Sequence, residues 1–151
     1  MSDLKSKLQS DLNDAIKSRN TVVAETIRMV LSAITNEEVA GKEKKELSDA
    51  ELITVLTREA KKRREAAEAF EQGGRADRAA AERAEGEVIA GYLPEQLSED
   101  ELNKLIAETV AAVGASGPSD MGKVMGALKA KVAGKADGAL VSTLVKAALN
   151  K

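Results

Sequence analysis

One segment of the chain follows the phosphate-loop pattern over most of its length. Residues 117–124 read Gly-Pro-Ser-Asp-Met-Gly-Lys-Val, with both glycines and the lysine at the spacing that cradles nucleotide phosphates. Val124 stands where a Ser or Thr would hold magnesium, and a predicted helix precedes the segment instead of a strand. The Ser119-Asp120 pair indicates a helix start, which places Gly122 and Lys123 in the first helical turn. We therefore expect no nucleotide hydrolysis, although the free amides of such a turn can meet a phosphate.

Other catalytic patterns are weak or missing. Ser2 and Lys5 have the Ser-x-x-Lys spacing of some acyl-transfer enzymes, but no partner motif follows, and the serine fits a helix cap better. The chain has no Cys and no His, which excludes disulfides, thiolate zinc sites, cysteine nucleophiles and the commonest general base. No metal-ligand spacing stands out. The sequence predicts a protein without catalytic residues, metal or cofactor, and so not an enzyme.

Basic residues are concentrated near the carboxyl end. The whole chain carries a net charge of −2, yet residues 119–151 hold six lysines against two aspartates, or +4, while residues 1–118 hold 17 basic and 23 acidic residues, or −6. Such segregation is typical of a polyanion-facing surface, although chance also produces it in a short segment. The candidate RNA-binding residues here are Lys123, Lys129, Lys131 and Lys135.

A second basic cluster lies within a predicted helix. Its members are Arg58, Lys61, Lys62, Arg63 and Arg64. At about 100° per residue, Arg58, Lys61 and Lys62 share one face, which could bind phosphates. The competing interpretation is a solvated face neutralised by Glu59, Glu65 and Glu68. Because no aromatic residues stand beside the cluster, any RNA would be bound through its backbone and shape rather than its bases.

Apolar residues recur at helical spacing throughout, which predicts an all-α fold. The single Phe, single Tyr and absence of Trp indicate a core of aliphatic residues. A first helix follows the stripe Leu4, Leu8, Leu12, Ile16 to about residue 18, and a second opens at Thr21. Ser48 to Glu51 is a capping box that opens a long third helix, which ends at Gly73-Gly74. A fourth helix spans about 77–90.

The turn at residues 91–94 is predicted to divide the chain into two subdomains. They are a four-helix N-terminal subdomain, residues 1–94, and a three-helix C-terminal subdomain, residues 95–151. Pro94 disfavours helical geometry at the residue before it. A second capping box, Ser98 to Glu101, then opens the fifth helix. The last two helices carry Met121 to Val132 and Leu140 to Ala148. No apolar leader or membrane-length run is present, so we expect a cytoplasmic protein that does not bind membranes.

Several segments together resemble the GatB/YqeY family over essentially the whole chain. They are residues 28–34 (RMVLSAI), 60–70 (AKKRREAAEAF), 87–98 (EVIAGYLPEQLS), 120–125 (DMGKVM) and 134–138 (GKADG). The segment 87–98 is the most specific. Gly138 departs from the amidotransferase tail, which usually has Pro at that position, so the chain is closer to the stand-alone YqeY-like members.

The resemblance implies a particular kind of function. The family is similar to the tail of the tRNA-dependent amidotransferase B subunit, a helical appendage that contacts tRNA away from the acceptor end. It implies a non-catalytic module that binds tRNA or associates with a synthetase or amidotransferase complex. The alternative is a protein-binding helical adaptor. A carbon–nitrogen ligase activity with glutamine as amido donor would be inherited by name only, because no residue of this chain supports it.

Overall fold

The computed structural model describes residues 3–150, and within them it contains α-helices, one short 3-10 helix and no strand. The all-α prediction and its seven helices are thereby confirmed. Ser2, predicted to cap the first helix, lies outside the described residues. The helices are α1 (Asp3–Lys17), α2 (Thr21–Glu38), α3 (Asp49–Gln72), α4 (Ala76–Ala90), α5 (Glu99–Val113), α6 (Met121–Val132) and α7 (Gly138–Leu149), with the 3-10 helix at Pro118–Asp120 before α6.

Local signals set the ends of the longer helices. Both predicted capping boxes are present: the hydroxyls of Ser48 and Ser98 accept from the amides of Glu51 and Glu101, whose side chains reach back to the cap amides. Gly73 caps α3, as predicted. No helix continues through residues 91–98, consistent with the restriction that Pro94 places on its neighbour.

The chain divides into two compact units between Leu93 and Pro94, hereafter the N-terminal unit (residues 1–93) and the C-terminal unit (residues 94–151). In the N-terminal unit, α3 packs against α4, α2 contacts each of the other three helices, and α1 contacts α2 and α3. The fully buried side chains of this unit include Leu8, Ile27, Ile34, Leu52, Leu56 and Ile89. An aliphatic core of this kind suits helices packed closely together.

The C-terminal unit has its own buried cluster. Helices α5, α6 and α7 contact one another pairwise. Its core side chains are Leu102, Ile106, Val124, Leu128, Val132, Val141, Val145 and Leu149. In α6 and α7 these residues recur every fourth position, so one stripe of each helix is buried, and Met121, Met125 and Leu144 are partly buried beside it.

Two apolar residues assigned to the core by spacing are exposed instead. Ile16 is 47% exposed and Leu140 is 38% exposed, whereas their neighbours Ala15 and Val141 are buried. A strict four-residue repeat advances about 40° per step around a helix, so a stripe that begins at Leu4 has left the core by Ile16. The predicted stripe was wrong at its last member for this reason.

Candidate nucleic-acid interface

The four candidate lysines of the C-terminal unit are all exposed. Lys123, Lys129 and Lys131 lie on α6, and Lys135 lies in the turn between α6 and α7. None of them lies within salt-bridge distance of a carboxylate among residues 3–150. Asp120 is the acidic group that acts electrostatically on Lys123, and its pKa is lowered first by the Ser116 amide and then by this lysine. The lysines are therefore free to meet an external anion.

Helical geometry divides the α6 lysines between two flanks. The buried stripe of α6 contains Val124 and Leu128. At about 100° per residue, Lys123 and Lys131 are about 80° apart on one side of the helix, and Lys129 is on the other side. The structure therefore does not place these cations in a single row, and each flank contributes its own.

Between the two flanks, the solvent-facing side of α6 carries only small residues. Gly122, Gly126 and Ala130 follow one another at every fourth position, opposite the buried stripe. A Cβ added at either glycine would have no heavy atom within 4 Å, so the space outside the helix is open. A phosphate backbone can approach this smooth side closely while lysines reach it from both flanks.

The turn that carries Lys135 is held by hydrogen bonds. Gly134 adopts a left-handed φ of 73°, which glycine tolerates without steric cost. The side-chain amide of Gln96 donates to the Gly134 carbonyl at 2.7 Å, and the amide of Leu97 donates to the Lys135 carbonyl at 2.9 Å. The backbone of Lys135 is thus fixed while its side chain is exposed, as predicted.

The segment that follows the phosphate-loop pattern does not form such a loop. Residues 118–120 form the 3-10 helix, and Gly122 and Lys123 lie in the first turn of α6, as predicted. The Asp120 carboxylate accepts from the Ser116 amide at 2.9 Å, so a protein carboxylate already occupies one of the amides in this loop. Val124 is fully buried in the core. This environment provides neither a metal-holding hydroxyl nor a free cradle.

The basic cluster of α3 is extensively ion-paired, in contrast to the C-terminal lysines. Within the helix, Lys62 pairs with the buried Glu59 at 3.4 Å and Lys61 with Glu65 at 4.0 Å. Arg58 reaches α2, where it contacts Glu37 at 3.2 Å. Arg64 is exposed, and it too has an interaction within the chain. Glu59 and Glu65 thus act as the neutralising interpretation expects, with further acids supplied by neighbouring helices.

Arg63 differs from the rest of the cluster because it faces α4. Its Nη1 atom lies 3.1 Å from Glu82 Oε2 and 3.5 Å from Glu85 Oε2, and its side chain is 22% exposed. The contact with Glu82 is an ion pair without hydrogen-bond alignment, since Arg63 Nε and Glu82 Oε2 have no hydrogen-bond partner. Burial and the neighbouring Glu82 raise the pKa of Glu85. Arg63 is a structural cation, and it lies four residues after the buried Glu59 and four before the buried Ala67, on the same side of α3.

The second residue of the Ser-x-x-Lys spacing is also structural. Lys5 donates to both carboxylate oxygens of Glu38 at 3.0 Å, and the Glu38 side chain is 4% exposed. The pair ties the start of α1 to the end of α2. Because Lys5 is paired with the Glu38 carboxylate, it has a structural role rather than the catalytic role of a Ser-x-x-Lys motif.

Two negative observations concern the described residues. Residues 3–150 contain no group of three or more potential ligands that could hold a metal ion. No helix among them is long and apolar enough to cross a bilayer.

Within residues 3–150, these features define a small all-helical protein with a paired basic cluster on α3 and exposed lysines without ion pairs on α6 and in the turn after it. The family model for Yqey-like proteins matches residues 5–149, so the chain belongs to the Yqey-like family. The resemblance drawn from segments such as 87–98 is thereby confirmed.

Three curated relatives are similar to the chain. An uncharacterized protein of Schizosaccharomyces pombe is 34% identical over 97 residues, which cover 64% of this chain and 76% of the relative. Altered inheritance of mitochondria protein 41, mitochondrial, of Pyrenophora tritici-repentis is 29% identical over 133 residues, or 86% of this chain and 71% of the relative. The protein of the same name from Clavispora lusitaniae is 38% identical over 90 residues, or 60% and 51%.

The names of these relatives correct one expectation. The cytoplasmic location expected from the sequence is contradicted, because two of the relatives are named as mitochondrial proteins. The lack of an apolar leader bears on secretion alone. Mitochondrial transit peptides are amphipathic rather than apolar, so a charged, amphipathic start does not distinguish the two compartments.

Proposed function

We propose that this chain is a non-catalytic helical module that binds folded tRNA through the phosphate backbone. The observation that carries the proposal is the set of exposed lysines without ion pairs around the small-residue side of α6. Lys123 and Lys129 reach from opposite flanks of Gly122 and Gly126, and Lys135 adds a cation just beyond the helix. Contacts of this kind position a nucleic acid without reading its sequence.

Arg58, Lys61, Lys62, Arg63 and Arg64 are secondary candidates in this proposal. A phosphate would have to displace the carboxylates that already pair with Arg58, Lys62 and Arg63. Each such displacement forms one contact with phosphate and breaks one ion pair with a carboxylate, so the net gain in binding free energy is small. Among residues 3–150, Lys129, Lys131 and Lys135 have no such competitor, and Lys123 has only the electrostatic influence of Asp120.

Salt titration tests the proposal directly. Each phosphate contact contributes about 0.7–0.9 to the slope of log K against log salt concentration. We expect the double variant Lys123→Ala, Lys135→Ala to flatten the slope by about 1.5 units, equally for different tRNAs. Equilibrium binding of purified tRNAs across a range of salt concentrations measures this.

The matched control is Lys104→Ala on α5, which removes an exposed lysine from the same unit without touching α6. It should leave the slope nearly unchanged. Unchanged affinity and slope in the double variant would refute the α6 site. If Arg58→Ala combined with Lys62→Ala then abolished binding, the RNA site would belong to α3.

The proposal includes two statements about the whole chain. We propose that residues 1–94 and 95–151 are separate four-helix and three-helix subdomains, supported by the two buried clusters. We also propose that the chain alone is not an enzyme and that any carbon–nitrogen ligation belongs to a synthetase or amidotransferase complex with which it associates. Hydrolysis of ATP, GTP or glutamine by the purified chain would contradict this, provided that Lys123→Ala abolished the activity.

A further inference from the structure

A cavity of about 370 Å³ lies beside the turn that joins α1 to α2. Its apolar lining comes from the buried Ala15 and Ala24 and from Ile16, which is 47% exposed. An isoleucine half open to solvent at the edge of a cavity offers contact area that the N-terminal unit leaves uncovered. A single exposed isoleucine is ordinary on a protein surface, so a ligand here would be held chiefly by the polar groups of the lining.

The polar lining of the cavity carries two cations without ion pairs. Arg19 and Arg28 lie on it, and neither is within salt-bridge distance of a carboxylate among the described residues. By contrast, Arg58, Arg63 and Arg83 of the same unit are all paired. A guanidinium presents a planar fork that matches a carboxylate, so two unpaired forks at one cavity favour an anionic ligand.

Two features favour a carboxylate-bearing peptide over a polyphosphate. Glu25 also lines the cavity, and its negative charge opposes a multiply charged phosphate chain while leaving one carboxylate net attracted. The N-terminal unit, residues 1–93, holds 16 basic and 18 acidic residues, or −2, so it offers a long polyanion no net attraction. A peptide with one acidic and one aliphatic side chain satisfies both the arginines and Ile16.

We propose that this cavity docks an acidic, aliphatic segment of a partner protein, with its carboxylate on Arg19 and Arg28 and its aliphatic side chain on Ile16. The site uses different residues from the RNA interface and does not depend on it. Arginine is among the residues that most often carry the binding energy of an interface. The chain would then engage tRNA with one unit and a protein partner with the other.

The backbone of Arg19 supplies a variant that separates binding from folding. Its φ of 59° is left-handed, a region in which glycine is tolerated far better than arginine. Arg19→Gly therefore removes the side chain and at the same time relieves strain, so the variant should melt at a higher temperature than wild type. Weakened binding in this variant cannot come from unfolding.

The test uses the full chain and short synthetic peptides that carry one Leu and one Glu at varied spacing. Matched peptides with Gln in place of Glu serve as ligand controls. Fluorescence anisotropy gives the affinity, and the Ile16 methyl signals in NMR spectra locate the contact. We expect Arg19→Gly and Arg28→Ala each to weaken binding of the Glu peptides about tenfold, the loss of a charge-assisted hydrogen bond.

Arg78→Ala is the matched control, because it removes an exposed arginine of α4 that does not line the cavity. It should leave peptide affinity unchanged. The proposal fails if no Glu peptide shifts the Ile16 signals, if the Gln peptides bind as well, or if both cavity variants keep wild-type affinity. It also fails if these variants lose tRNA binding instead, since the arginines would then belong to an RNA surface.

Discussion

The two basic regions of this chain have similar composition and opposite surroundings. On α3, Arg58, Lys62 and Arg63 each face a carboxylate, two of them on other helices. On α6 and the turn after it, Lys123 and Lys135 face solvent and have no ion pair with any residue in the described range 3–150. Counting basic residues in a window would rank the α3 cluster first. The comparison teaches that a cation is available to a ligand only when the fold has not already given it an anion.

The largest effect is expected where the paired region is broken. Arg63→Ala leaves Glu82 and Glu85 close together with no cation between them, and it removes the arginine stem from the α3–α4 contact. We expect the free energy of unfolding to fall by about 2–3 kcal/mol. Urea unfolding followed by the fluorescence of Tyr92, the only tyrosine, reports on the N-terminal unit.

Lys129→Ala is the control for this prediction, and it should change stability by less than about 0.5 kcal/mol, as expected for an unpaired surface lysine. Circular dichroism follows both units together. If the units unfold separately, Arg63→Ala shifts the Tyr92 transition and leaves the rest of the helical signal in place. Equal destabilisation by Arg63→Ala and Lys129→Ala would remove the distinction between the two regions.

A smaller effect is expected at a second polar tie of the N-terminal unit. The Tyr92 hydroxyl donates to Asp11 at 2.6 Å, and Lys7 pairs with the same carboxylate at 2.9 Å. The Tyr92 hydrogen bond, followed by Lys7, lowers the pKa of Asp11, while burial and Asp11 raise the pKa of Tyr92. Tyr92→Phe should therefore cost about 1 kcal/mol at neutral pH.

The pH dependence sharpens this prediction. Because the pKa of Asp11 is lower in the folded state, its contribution is present above its ordinary pKa of 3.8 and is lost as the pH falls through the folded value. The difference between wild type and Tyr92→Phe should accordingly shrink in acid. Unfolding followed by circular dichroism at neutral and acidic pH measures it. A difference that grew in acid would contradict the assignment of Asp11 as the acceptor.

The smallest effect is expected in the C-terminal unit. Gly138 is the first residue of α7, a position that favours proline, and Asp137 before it has φ −68° and ψ 126°, which a following proline accepts. A side chain at Gly138 would meet nothing within 4 Å. Gly138→Pro should stabilise the protein by about 0.5 kcal/mol through the unfolded state. Thermal melting checks this, with Gly134→Pro as a destabilising control, because Gly134 has positive φ.

The sequence predicted the helices better than it predicted the availability of their side chains. Capping boxes and apolar spacing are local, so Ser48 and Ser98 could be placed without knowledge of the fold. The end of α2 could not be placed in this way, because Glu38 is held by Lys5, a residue 33 positions away. The same holds for Arg58, whose partner Glu37 lies on another helix.

The candidate site shows the same limit. Exposure of Lys135 follows from its turn, and the sequence predicted it. The division of the α6 lysines between two flanks also follows from helical spacing. A count of net charge does not show it, because the count ignores where each lysine lies around the helix. The cavity beside Arg19 could not be predicted, because it depends on the packing of α1 against α2. The sequence marked that place only as a break between helices.

The hydrogen bonds between residues 96–97 and 134–135 have a consequence for exchange kinetics. The amide proton of Leu97 can exchange with solvent only when the Lys135 turn opens, so its exchange rate measures how often the turn releases. A polyanion that held Lys135 in place would slow exchange at Leu97, although Leu97 itself contacts no ligand. The exchange rate of an amide just before α5 would thus report whether a polyanion is bound after the end of α6. Slower exchange would indicate direct contact with the turn, whereas a polyanion held only by diffuse electrostatic attraction would leave the rate unchanged.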